Sequence, residues 1–111
     1  MDGTHALAVL VTAPSEAQAI DLGRWPADER RAAGVNVVPG ITSTFPWQGA
    51  RGQAAGALLV IKTRRKSYPE LQPRIVGLHL YSVPEARALA VEAGAPTYVE
   101  WVHDSVPVEG R

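Results

Sequence analysis

One stretch, GVNVVPGITSTFPWQG at positions 34–49, limits what this chain can fold into more than any other. It opens on Val35, Val37 and Val38, β-branched residues that favour a pleated, half-buried backbone. Pro39 has no amide hydrogen to give and Gly40 tolerates the backbone angles of a bulge, so the ladder must bend there. Beyond the bend Ile41, Ser43 and Phe45 fall on one side, with Thr42, Thr44 and Pro46 on the other. A turn at Trp47, Gln48 and Gly49 ends the run. The stretch reads as the long bent arm of a hairpin, returning through the apolar run 57–63 after a loop at 53–56.

The flanking segments supply the remaining elements. Residues 6–11 are short, apolar and unbroken, which suits a strand covered on both faces. Ser15 and Gln18 have capping-box spacing, and the helix behind them carries a stripe of Ala17 and Ile20 with Gly23 or Arg24. Pro26 leaves two readings open. It kinks one helix over 15–33, the reading preferred here, or it opens a second segment with Asp28 and Glu29 in its first turn. Gly34 then stops the helix. Ser67 and Glu70 repeat the capping spacing ahead of a helix with Leu71, Ile75 and Leu78 on one face and Val76 at its edge, bent at Pro73. A turn around Pro84 leads to a strand at 87–91, and Thr97 caps a last helix bearing Tyr98, Trp101 and Val102. Residues 1–5 and 106–111 read as loose ends of a single domain spanning 1–111.

The order is β-α-β-β-α-β with an added C-terminal helix, the α+β ferredoxin-like arrangement of two helices on one face of a four-stranded antiparallel sheet. The other sheet face is apolar and needs a cover, from the last helix or from further copies of the chain. With 11 basic and 11 acidic residues the formal charge is zero, so neither the basic footprint of a nucleic-acid binder nor that of a membrane-surface protein is present. No run is long enough to cross a bilayer. With no cysteine, thiolate metal sites, disulfides and thiol catalysis are excluded, and the expected compartment is the cytoplasm.

Several motifs together resemble one family. The stretch 34–49, the strand 58–64, Tyr68 to Leu71, Leu78 to Tyr81, Val83 to Glu85 and Val91 to Gly94 are similar, without gaps, to the CutA family of divalent-cation tolerance proteins. That resemblance implies a homotrimer whose sheets surround a threefold axis, each long hairpin reaching a neighbour. It also implies a copper-associated motif of a histidine, a glutamate and a first-strand thiol, here His79, Glu85 and Val11. Valine brings no sulfur. Leu80 stands where proline is usual, Gly34 for a cysteine, Gly56 for an acid, and Pro26 and Arg31 for leucines. Arg31, Pro26 and Pro73 should therefore cost stability unless trimer contacts compensate.

Candidate chemistry follows. His79 and Glu85, joined by the Pro84 turn, suit a weakly held Cu²⁺ or Zn²⁺. The competing assignment has His79 capping the helix end and Glu85 solvated in the turn. Trp47 and Tyr81 either line a pocket beside His79 or pack at a subunit interface. Lys62 and Arg64 open a basic run, a solvated strand end or an anion-holding cleft. No nucleophile has an evident base, no carboxylates are paired and no glycine loop cradles phosphate, which points away from an enzyme. The expected role is a trimeric, non-enzymatic binding or sensing protein in divalent-metal tolerance, its partners being itself and metal ions. The alternative is a trimeric signal-transduction-like effector-binding or anchoring module using the cleft with Lys62 and Arg64.

Overall fold

The computed structural model describes residues 4–81 and 83–107. Its elements are β1 (Ala6–Ala13), α1 (Glu16–Asp28), β2 (Gly34–Trp47), β3 (Ala50–Arg64), a 3-10 turn (Arg65–Ser67), α2 (Tyr68–Leu78), β4 (Ala86–Ala90) and α3 (Pro96–Ser105). All pairings are antiparallel and the sheet order is β2-β3-β1-β4, the arrangement expected from the element order.

Alternation along the central strands builds the core. Leu7, Val9, Val11 and Ala13 of β1 and Ala57, Leu59 and Ile61 of β3 point to one face and are buried with Ala19 and Leu22 of α1 and Leu71 and Ile75 of α2. Burying each large side chain contributes about 1.5–3 kcal/mol. On the opposite face, α3 covers only the end around Ala6 and Arg64, through buried Val102 and Val106. Leu10, Leu58 and Val60 are left half-buried on that face, and Val38 and Leu89 exposed. The expectation of an incompletely covered apolar face therefore holds for the single chain.

The hairpin is longer and tighter than its sequence indicated. Gln48 and Gly49 both have positive φ (50° and 80°) and join Trp47 to Ala50 directly, the geometry of a two-residue type I′ turn. Residues 53–56, expected as a loop, are instead paired strand, Thr44 to Gln53 and Ile41 to Gly56. Gln53, Ala54, Ala55 and Gly56 carry no strand signal, and the backbone ladder decides. The bend falls where expected, with Gly40 at φ 74° and the register shifted between Pro39 and Ile41.

Both helices nearest the core differ in detail from expectation. The buried stripe of α1 is Ala19, Leu22, Gly23 and Pro26, whereas Ala17 and Ile20 face outward. Gly23 belongs there because a Cβ would lie 2.7 Å from Val35 Cγ1. The helix ends at Asp28, ahead of Gly34. Arg30 takes φ 57°, its amide bonds to Ala27 O and that of Arg31 to Pro26 O, a Schellman closure made without glycine. Ser15 accepts from the Gln18 amide at 3.1 Å, but the Gln18 side-chain oxygen is buried without a partner, so the box is half made. Ser67 makes no side-chain cap, because the 3-10 turn runs straight into α2. Leu78 leaves the buried face of α2 and is about half exposed. The last helix starts at Pro96 rather than at Thr97, with the amides of Tyr98 and Val99 on Ala95 O.

Of the ends expected to be loose, residues 1–3 and 108–111 lie outside the described residues, and Thr4 and Val106 are held. Thr4 donates its amide and hydroxyl to Val91 O, Thr4 O accepts from His103 Nε2, and Val106 is fully buried. Arg31, expected to weigh on the core, turns outward to pair with Glu70. Beside it Arg74 donates twice to Glu29 and lies 4.1 Å over the Trp25 ring, joining α1 to α2.

Candidate functional site

Thr12 is the point on which the proposed pair converges. It lies one residue beyond the last β1–β4 pair, Val11 with Ala86, so its backbone has no strand partner on that side. His79, the C-cap residue just past α2, fills the gap, with Nε2 at 2.6 Å from Thr12 O. A carbonyl can only accept, so Nε2 carries the proton, and Nδ1 accepts the Tyr81 amide at 3.1 Å. The imidazole is buried and the Tyr81 ring leans on it, centroids 4.8 Å apart.

Glu85 reaches the same residue from the turn before β4. One carboxylate oxygen faces the Thr12 hydroxyl at 3.4 Å and the other pairs with Arg87 Nε at 2.9 Å. Both contacts are weak in character, one long and one substantially solvent-exposed, so the carboxylate exchanges partners at little cost. Val11 points into the core and offers no donor. Among the described residues no three His, Asp or Glu side chains gather as a ready metal cage.

What meets at Thr12 is thus one imidazole and one carboxylate. The Nε2–H bond to a backbone carbonyl is the outer-shell contact that metal-ligating histidines make, and it fixes the tautomer in which the lone pair is on Nδ1, where the Tyr81 amide now donates to it. Nitrogen with carboxylate suits borderline divalent ions. His79 stands at the C-cap of α2, the position the helix-capping alternative gives it, while its ring nitrogens contact β1 and the Tyr81 amide.

Comparison with known proteins places the chain in a family. A family model described as CutA1 divalent ion tolerance protein matches residues 7–105. The chain belongs to the CutA family. It is 40% identical over 97 residues to a divalent-cation tolerance protein CutA of Thermus thermophilus, covering 87% of this chain and 94% of that one. A CutA protein of Arabidopsis thaliana, named chloroplastic, is 36% identical, and there the match spans 90% of this chain but 55% of the relative. Among solved structures, the Thermus thermophilus cation tolerance protein superposes with a TM-score of 0.87 at 38% identity, covering 92% of this chain and 99% of that one. A chloroplastic relative means that CutA membership does not fix the compartment. No described helix is long and apolar enough to cross a membrane.

Within this CutA-family chain the other candidates are dispersed. Trp47 sits at the hairpin tip, 60% exposed, edge-on to Phe45, while Tyr81 rests on His79. A cavity of about 440 Å³ near Thr4 and His103 and another of about 580 Å³ at the hairpin tip include none of His79, Glu85, Trp47, Tyr81, Lys62 or Arg64 in their walls. Lys62 is half-buried beside Gly34. Arg64 is occupied: its Nη1 donates to the carbonyls of His103 and Val106 and closes the end of α3. This engagement weakens the anion-cleft alternative.

Sequence reasoning assigned nothing to Thr12 or His103. Thr12 meets His79 through its main-chain carbonyl, which no side-chain motif announces, and Glu85 through its hydroxyl. His103 ties α3 to Thr4, a contact 99 positions apart.

Proposed function

We propose that this chain acts in divalent-cation tolerance as a non-enzymatic homotrimer that binds or senses Cu²⁺ or Zn²⁺ through His79 and Glu85. Membership of a family named for cation tolerance carries the reading. The meeting of His79 and Glu85 at Thr12 supports the choice of residues, and Trp47 and Tyr81 serve as packing surface between copies. The uncovered sheet face and the bare hairpin tip support the trimer, since both present apolar side chains that a single chain leaves wet.

A two-residue donor set gives weak binding, tightened only if a neighbouring copy completes it. Isothermal calorimetry with Cu²⁺ and Zn²⁺ tests the assignment. Heat that disappears in His79→Ala and falls in Glu85→Gln is the expected result. Equal heat in wild type and His79→Ala would place any metal elsewhere.

A further inference from the structure

Resting on that reading of His79, we infer that the 79–81 turn is a metal-sensitive latch, in which a divalent ion and the Tyr81 amide compete for the same nitrogen. The ring has only two ligating atoms. Nε2 holds its proton against Thr12 O at 2.6 Å and has no lone pair to offer. Nδ1 has one, and in the closed turn it is spent on the Tyr81 N–H at 3.1 Å. An ion reaching His79 therefore binds at Nδ1 and expels that amide, while the bond to Thr12 stays and strengthens the ring as a donor. Metal binding and closure of the turn exclude each other.

The segment is built to give way there. Tyr81 is partly exposed, so its freed amide turns to water rather than being stranded. Its ring contact is to the imidazole itself. Leu80, 71% exposed, is not anchored in the core. The anchor, His79, is fixed to β1. Opening the turn therefore moves Leu80 and Tyr81, two exposed side chains, and leaves the sheet in place. The ion would be sensed as a change of surface at this corner rather than as a change of fold.

Nuclear magnetic resonance of the wild-type chain with Zn²⁺ as probe tests this without a destabilising variant. The expected result is a large ¹⁵N shift at His79 Nδ1, retention of the Nε2–H resonance, and Tyr81 amide exchange faster by about tenfold or more, as one protecting bond is lost. A shifted Nδ1 with unchanged Tyr81 exchange overturns the latch and leaves the metal assignment standing. A His79 ring that does not respond to millimolar Zn²⁺ overturns both.

Discussion

The β2–β3 ribbon has two halves that share one ladder and little else. At its root, Gly34–Val38 opposite Leu58–Lys62, Leu59 and Ile61 are fully buried beneath α1 and α2, and Val35 closes on Gly23. At its tip, Ile41–Trp47 opposite Ala50–Gly56, no side chain is buried, although the pairing continues without a gap. The tip is held by a two-residue turn, by the Phe45 ring lying over Gly52, and by an edge-on contact between Phe45 and Trp47. Backbone pairing fixes shape in both halves, but only the root has the side-chain burial that fixes stability. A two-stranded ribbon without a third layer is marginal in water. The tip's aromatic residues therefore make physical sense as surface for something outside the chain.

The contrast breaks most visibly in the root. Leu59→Ala removes a fully buried side chain from the middle of the core and should cost about 2–5 kcal/mol, read by chemical denaturation. A cost below 1 kcal/mol would mean the root is not the stabilising half. Gly56 marks the junction, where a Cβ would stand 2.3 Å from Ala13 O. Gly56→Ala should cost about 1–3 kcal/mol, because strand backbone and not a flexible side chain must shift. At the tip, Trp47→Ala should change single-chain stability by no more than about 0.5 kcal/mol. Its effect belongs to assembly, and light scattering should show the wild type at three chain masses and the variant dissociating at higher concentration. A wild type that stays monomeric at micromolar concentration would sink the trimer.

The smallest effect concerns the helices that roof the root. The hydrogen bonds from Arg74 hold the Glu29 carboxyl below its ordinary value of 4.5, and the same contact raises Arg74. A depressed carboxylate contributes stability above its unfolded pKa and loses it as pH falls through the folded one. The Tm gap between wild type and Glu29→Gln should thus be small at pH 7 and close in acid below about pH 4.5. A gap that widens in acid would reverse the sign.

Much of this was legible in the residues. Valine runs, the Pro39–Gly40 bend and the order of elements fixed the topology, because each acts through local backbone preference. The register of 53–56 was not, since Ala54, Ala55 and Gly56 are paired by their backbone and by what lies opposite. Nor was the stripe of α1, where Ala19, Gly23 and Pro26 join Leu22 without announcing themselves by hydrophobicity, and Gly23 is set by the close approach of Val35. At the candidate site the residue types His79 and Glu85 could be named, but not their commitments. Those depend on Thr12, whose carbonyl is left over because β4 starts opposite Val11, one position short of it, and whose hydroxyl meets Glu85.

The closure of α3 by Arg64 has a thermodynamic consequence. Its final turn is secured by a guanidinium rooted in β3, with Nη1 serving two carbonyls at once. That helix has no private route to fraying: opening its last turn strips a strand residue of its partners, and loosening the strand end unties the helix. The two ends should therefore melt as one cooperative unit, and amide exchange in the last turn of α3 should report on the strand it is tethered to.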